Sequence, residues 1–293
     1  MTQFIHKPVL LQSVIRELAI QKDALYIDAT LGGGGHTEEI LKNGGKVLGI
    51  DQDQDAIKHV ESKLSSYISS SQLIVAQGNF KDICEIAKKN GFGIVSGILF
   101  DLGVSSYQLD ASGRGFSIRF DEKLDMRMDK GAQVSAYDIV NKYSEKDLKD
   151  IFVEYGEEDR AAEVAAKIVE TRKVKPIETT GELVKLIEKL IRRTGKLHPA
   201  TKIFQAIRIE TNKELSVLRL GLTDSVKLVG TGGKIAVISF HSLEDRIIKK
   251  LFDQWEETQI GVVVTNKPIT AITEETASNP RAFSAKLRIF KKN

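Results

Sequence analysis

Tyr26-Ile-Asp28-Ala-Thr-Leu-Gly32-Gly33-Gly34-Gly35-His36-Thr37 decides how the rest of the chain is read. A short apolar run ends in an acid, four glycines follow, and a helical pattern begins. This is the strand, loop and helix opening of a nucleotide-binding βαβ unit, where glycines let the backbone approach a ligand closely. A glycine cluster alone also describes an ordinary tight turn. The second element separates these readings: Lys46-Val-Leu-Gly-Ile50-Asp51 is another strand ending in an acid, nineteen residues after Gly32. An acid about 20 residues beyond the loop is placed to accept from ribose hydroxyls. Together the two stretches predict a site for an adenosine-containing ligand.

The loop also narrows the ligand. A dinucleotide fingerprint needs a third small residue for close helix–strand packing. Counting from Gly32 that place is Thr37, and counting from Gly33 it is Glu38, so neither frame fits. No Gly-Lys-Ser/Thr follows the glycines, which removes the P-loop. A glycine loop without pyrophosphate machinery suits an adenosyl ligand that carries no phosphate, and S-adenosylmethionine is the expected cofactor.

Working outward, strands and helices alternate. Strands are predicted at Leu25 to Asp28, Lys46 to Asp51, Leu73 to Ala76 and Ile94 to Asp101, with helices at His36 to Leu41, at Asp53 to Tyr67, and after Gly78-Asn79-Phe80 to about Lys89. The last strand is apolar throughout, as in a parallel sheet buried on both faces. The rhythm then breaks. The next buried strand is Lys234 to Phe240 after the turn Gly230–Gly233, and 131 residues lie between Asp101 and Gly233. The intervening sequence carries helical patterns at Ala136 to Asn141, Ser144 to Tyr155, Glu158 to Thr171, Thr180 to Arg192 and Ala200 to Asn212. An α/β domain of residues 1–106 and 213–293 is therefore expected to hold an inserted helical domain of residues 107–212. Leu215 to Val229 returns the chain to the sheet. Ser242 is expected to cap a helix running to about Trp255. Ile260 to Val264 and Ala285 to Phe290 are expected to form an antiparallel hairpin at the sheet edge, joined by a mobile loop containing Pro268 and Pro280.

Composition bounds the function. Of the 293 residues, 41% are hydrophobic and 28% charged, as in a soluble globular protein. No apolar run is long enough to span a bilayer, and the first eighteen residues lack a secretory pattern. The single cysteine, Cys84, excludes an internal disulfide and fits a reducing cytoplasm. A net charge of +3 permits a nucleic-acid partner without demanding one. The oligomeric state is not legible in the sequence, which allows a homodimer.

Five stretches carry a resemblance: Gly32-Gly-Gly-Gly35-His36, Asp101-Leu-Gly-Val-Ser-Ser106, Leu124-Asp-Met-Arg-Met-Asp129, His198-Pro-Ala-Thr201 and Ser239-Phe-His-Ser-Leu-Glu-Asp-Arg246. In this order and over most of the chain they resemble the bacterial ribosomal RNA small subunit methyltransferase H family. Tyr107 stands where that family usually has proline, and Ile118 to Lys123 also departs from its usual wording; both bear on loop shape. The resemblance implies a class I, Rossmann-like methyltransferase sheet with an inserted all-helical subdomain. It implies methyl transfer from S-adenosylmethionine to N4 of one cytidine in the decoding region of 16S ribosomal RNA. Matched residue by residue, it implies cofactor contacts at Gly34, Gly35, His36, Asp51, Phe80, Asp101 and Gln108.

The residues agree with most of that set, because ligands of an open parallel sheet sit beyond the carboxyl ends of its strands. Gly34, Gly35, Asp51, Phe80 and Asp101 all follow or end predicted strands. Phe80 is equally readable as a core phenylalanine, and nothing but the resemblance argues for Gln108. Asp101 is the expected catalytic residue, either accepting from the target amine or holding the amino group of the cofactor. His241 and Glu244 are expected near the substrate or as elements of a helix cap. Asp125 and Asp129 flank Arg127 and read as ion-pair partners; no metal is expected, since no His/Cys cluster has zinc-ligand spacing. Lys189, Arg192, Arg193, Lys196, His198, Lys202 and Arg208 crowd one stretch of the insert, with Lys167, Arg172, Lys173 and Lys175 as a second group. Of these, Arg192, Arg193, Lys202 and Arg208 are the expected substrate contacts, gripping RNA phosphates.

Overall fold

The computed structural model describes residues 8–110, 112–192 and 198–293. Arg193 and Lys196 of the expected RNA-binding group lie outside the described residues. The chain divides into two compact units, Met1–Gly103 with Leu215–Asn293, and Val104–Glu214. The expected borders stood two or three residues away from these.

In the first unit the chain runs α1 (Leu11–Leu18), β1 (Leu25–Asp28), α2 (Gly35–Lys42), β2 (Lys46–Asp51), α3 (Gln54–Lys63), α4 (Ser65–Ser69), β3 (Leu73–Gln77), α5 (Ile83–Lys89) and β4 (Val95–Asp101). The second unit holds α6 (Ser106–Asp110), α7 (Ala136–Lys142), α8 (Glu145–Glu154), α9 (Ala161–Val174), α10 (Thr180–Leu190) and α11 (Thr201–Asn212). Then α12 (Glu214–Leu228) leads to β5 (Val229–Ser239), α13 (Ser242–Glu257), β6 (Gly261–Val263), β7 (Ile269–Thr270), α14 (Thr273–Ser278) and β8 (Lys286–Lys292).

The sheet has the order β3-β2-β1-β4-β5-β8-β6, with β7 also paired to β8. The first five strands are mutually parallel, and β8 is antiparallel to β5. The period-2 alternation of strand side chains sorts them between two apolar layers. Ile27, Leu48, Ile98, Phe100, Ile235 and Val237 face α5, α12 and α13. Tyr26, Val47, Leu99, Ala236 and Ile238 face α1, α2 and α3. Helices on both faces bury the sheet twice, which is why its strands read as nearly unbroken apolar runs. From β1 the chain moves outward to β2 and β3, then crosses back to β4 on the other side of β1. The strand order therefore reverses between β1 and β4, where open α/β sheets bind ligands.

Val104–Glu214 forms its own helical core, built on Phe116, Leu124, Ile139, Phe152, Val164, Leu183 and Ile207 among others. Two of its helices begin with capping boxes, Ser135 with Asp138 and Thr179 with Glu182. Each satisfies orphan N–H groups reciprocally and so fixes where the helix starts.

Two sequence expectations need correction. β5 starts at Val229 rather than Lys234: Val229 pairs with Val95 and Lys234 with Gly97, so Gly230–Gly233 bulges between two paired residues. The expected antiparallel hairpin at the sheet edge is present: β6 pairs with β8 and ends the sheet, while β8 also pairs with β5 on its inner side and with β7. The segment between β6 and β8 carries β7, α14 and a short 3-10 turn at Pro280–Ser284, and Glu275 Oε1 accepts from the Leu10 N–H at 2.6 Å. Among the described residues no helix is long and apolar enough to cross a membrane.

Candidate active site

The parallel ladder aligns the strand ends. Asp28 lies beside Leu99, Asp51 beside Gln77 and Asp101 beside Ile238. After β1 the backbone stays tied to its neighbours, with Ala29 N–H donating to Leu99 O and Leu31 N–H to Ile50 O, both at 2.9 Å. The glycine loop then turns into α2 through Gly34, whose φ of +71° is left-handed. A Cβ there would also meet Val60 Cγ2 at 2.9 Å, so glycine satisfies both the turn and the packing. Gly35 opens α2 where a Cβ would lie 2.3 Å from Pro8 Cγ.

Around this loop stand four acids. Asp28, 1% exposed, accepts from Thr37 Oγ1 at 2.7 Å and from the Thr30 N–H at 3.2 Å. Burial outweighs those two hydrogen bonds and pushes its carboxyl up to about 6. Asp51 accepts from the N–H groups of Gly32 and Asp53, each at 2.8 Å, so its carboxylate holds the glycine loop. Burial likewise pushes it up to about 6, with Asp53 and Asp28 adding repulsion. Asp101 ends β4, and its N–H donates to Thr30 Oγ1 at 2.6 Å. Burial, reinforced by Asp28 and Glu244, holds its carboxyl well above the usual carboxylate range. Its Oδ1 has no hydrogen-bond partner among the described residues. Glu244, 2% exposed, accepts from the Phe240 N–H at 2.8 Å beyond the end of β5.

His36 is buried with Nε2 on the Val9 carbonyl at 3.0 Å. Only an N–H can satisfy a carbonyl, so Nε2 carries a proton, and Nδ1 lies 3.6 Å from Asp101 Oδ2. Phe80 starts a 3-10 turn after β3, and its ring meets Phe100 edge-on at 5.5 Å. A Cβ on Gly221 of α12 would come within 2.5 Å of that ring. Phe80 is half-buried, so it combines core packing with a partly open face. Gly34, Gly35, His36, Asp51, Phe80 and Asp101 are thus gathered at the carboxyl ends of β1 to β4. Gln108 belongs to the other unit, where its Oε1 accepts from the Ser105 N–H at 2.9 Å.

After β5, His241 and Glu244 form the helix cap that was one of their two expected roles. His241, not Ser242, is the N-cap of α13: its ring nitrogen accepts from the Glu244 N–H, and Glu244 returns a bond to the His241 N–H. Cys84 lies on α5 with its thiol on the Asp224 carbonyl at 3.4 Å, and burial pushes that thiol up, so it is a poor nucleophile.

The cations of the helical unit separate into two groups. Arg208 is bidentate to Glu214 at 2.8 and 2.9 Å, and Arg172 donates to the carbonyls of Val140 and Tyr143. Lys167 and Lys175 pair with Glu170 and Glu182. Arg192 is exposed, and Lys202 donates to the Glu157 carbonyl, a partner that carries no compensating charge. Arg127 pairs with Asp125, its Nε at 2.7 Å from Oδ1, while Asp129 accepts from the Gly131 N–H.

Sequence reasoning passed over Asp28, Thr30 and Thr37 as site residues. Asp28 was legible only as the end of a strand; that its carboxyl faces inward to tie the loop to α2 depends on the packing around it.

A sequence profile of the MraW methylase family matches residues 3–293. Among similar curated proteins is the ribosomal RNA small subunit methyltransferase H of Lactobacillus delbrueckii subsp. bulgaricus, 45% identical with 99% of each chain covered. The protein of the same name from Clostridium botulinum (strain Loch Maree) is 46% identical, again over 99% of each chain. That of Fusobacterium nucleatum is 45% identical over 98% of this chain and 96% of its own. A match over nearly the whole length, to a methylase family and on top of a strand-end crevice of this geometry, settles the relationship: the chain belongs to the MraW methylase family.

Proposed function

We propose that this protein transfers a methyl group from S-adenosylmethionine to N4 of a cytidine in the decoding region of 16S ribosomal RNA. The observation that carries the cofactor assignment is the charge of the crevice. Asp28, Asp51, Asp101 and Glu244 converge on the strand ends, and Asp101 Oδ1 is left without a partner among the described residues. Burial and mutual repulsion disfavour the ionised forms of the three aspartate carboxyls; a ligand bearing a sulfonium and an ammonium relieves that penalty, whereas a phosphate adds to it. The residues therefore fit an adenosyl sulfonium better than a dinucleotide.

Asp51 uses one lone pair of each oxygen on the loop, and the remaining pairs are free in number to accept from ribose hydroxyls. Phe80 offers an apolar face to a purine. When bound, the cofactor supplies an electrophilic methyl group. The chain's task is then to hold a weak nucleophile in line with it, and positioning is the main source of acceleration. Asp101 Oδ1 is suited to accept from the exocyclic amine of the base, which localises a lone pair delocalised into the ring. The same carboxyl could alternatively hold the amino group of the cofactor. The poor nucleophilicity of Cys84 favours an exocyclic nitrogen over carbon C5, whose methylation ordinarily needs a cysteine adduct.

The names of the relatives support ribosomal RNA as the substrate. Ribosomal RNA in the small subunit is our assigned partner, in the cytoplasm, with residues 107–212 recognising it. Its target base has to leave its stack to meet a methyl donor. Arg192, Arg193 and Lys202 are the phosphate contacts we retain; Arg208 is committed to Glu214 and drops out.

Incubating labelled cofactor with purified unmethylated small subunits and hydrolysing the RNA to nucleosides tests the reading. Label in N4-methylcytidine supports it; label in 5-methylcytidine, or none, rejects it. Charge reversal at Arg192 and Lys202 together should raise KM for subunits and leave cofactor affinity intact. An unchanged KM would remove the helical unit from RNA recognition.

A further inference from the structure

Two buried polar atoms of the sheet unit have no hydrogen-bond partner among the described residues: Asp101 Oδ1 and His241 Nε2. They belong to adjacent strand ends. Asp101 is in register with Ile238, the Leu102 N–H donates to the Ile238 carbonyl at 3.0 Å, and His241 follows β5 by two residues. The His241 side chain is only 10% exposed. Its Nδ1 accepts from the Glu244 N–H at 3.4 Å, which assigns the ring proton to Nε2. Nε2 stands 3.2 Å from Glu244 Oε1 but out of line for a hydrogen bond. Glu244 in turn is near enough to Asp101 for its charge to act on that carboxyl.

A buried N–H left unpaired is costly, and where one persists in a crevice it is suited to a ligand. The two strand ends together offer one acceptor and one donor. Cytosine presents the complementary pair on its Watson–Crick edge, the N4 amine as donor beside ring N3 as acceptor. Uracil presents the reverse. We infer that His241 is a specificity residue for the target base, with its Nε2–H donating to cytosine N3 beside the amine that Asp101 Oδ1 faces. The inference rests on the cytosine-N4 reading above, and it gives the capping histidine a second duty. Nδ1 starts α13, and that bond fixes the ring with its unpaired Nε2 at the end of β5, beside Glu244.

The test crosses a protein change with a base change. His241→Ser retains a good N-cap but removes the distal donor. In small subunits reconstituted with 3-deazacytidine at the labelled position, the base keeps its amine and loses the N3 acceptor. The expected result is that either change alone lowers kcat/KM for subunits about 10- to 100-fold, the loss of one hydrogen bond in a closed site. Both changes together should lower it no further, because they delete the same bond. Cofactor Kd by calorimetry should stay within about twofold in the variant, which separates this role from a structural one. His241→Asn, which also caps, takes the place of the serine variant if that protein loses cofactor binding. Wild-type enzyme that methylates 3-deazacytidine at full rate would overturn the inference without any variant. So would losses that multiply. If the wild type labels another atom than N4, the underlying reading fails instead, and nucleoside analysis of the same reaction distinguishes the two failures.

Discussion

Asp28 is a buried charge that the fold tolerates for the sake of its site, and replacing it should stabilise the protein. Asp28→Asn is nearly isosteric. Its carbonyl oxygen can accept from the Thr30 N–H, and its amide can donate to Thr37 Oγ1 with the direction of that bond reversed. Raising a carboxyl from 3.8 to about 6 is roughly two units, so the ionised form costs the folded state about 3 kcal/mol at neutral pH. The sign follows from linkage. The raised value means the folded state holds the proton more tightly. Stability is therefore full below the unfolded value near 3.8 and is lost as pH rises through about 6. The asparagine variant has no such loss. Urea unfolding from about pH 4 to about pH 8 should show the two proteins equal at the acid end, with the variant ahead by about 3 kcal/mol above pH 7 at unchanged m-value. A variant less stable at neutral pH, or a difference that does not change with pH, would refute the claim that Asp28 is charged and strained by burial.

Affinity for the cofactor should move the other way with pH. As Asp51 takes up a proton near pH 6, binding should weaken by up to about tenfold per pH unit, and Asp51→Asn should flatten that dependence in a calorimetric series. Gly34→Ala forces a side chain into φ +71° and against Val60, and a thermal melt should register a loss of about 1–2 kcal/mol together with weaker cofactor binding. Asp245 Oδ1 receives Arg288 Nε at 2.6 Å, joining α13 to β8 with the guanidinium buried. Asp245→Ala should cost about 3–5 kcal/mol in urea unfolding, because it strands that charge; a loss under 1 kcal/mol would show the guanidinium reaching water.

What the sequence disclosed and what it withheld follow different physics. β1, β2 and β4 were legible because burial on both faces demands unbroken apolar runs, and each ends in an acid where the chain leaves the sheet. The helical character of Val104–Glu214 was legible from periodicity, and the capping boxes at Ser135 and Thr179 fall where serine and threonine precede an acid by three. Ser242 reads as the cap of α13 from its residue type, while His241 and Glu244 are open to a substrate role or a capping one; only the ring nitrogen's approach to the Glu244 N–H decides between them. The β6–β8 hairpin was legible as two apolar runs, but that β8 lies beside β5 was not, because sequence distance says nothing about which strands are neighbours. Arg208 read as a phosphate ligand until Glu214, six residues on, proved to hold it in both directions of its fork. Pairings of that kind are set by the turn between two helices, which composition does not encode.

The central claim is that an acidic, glycine-turned strand-end crevice selects a cationic adenosyl ligand without phosphate. Calorimetric titration of the purified protein with S-adenosylmethionine, NAD and ATP in parallel tests it most directly. Saturable heat is predicted with S-adenosylmethionine, diminished in Asp51→Asn, and none with the two phosphate-bearing nucleotides. Tighter binding of NAD or ATP, or no heat with the sulfonium, would contradict it.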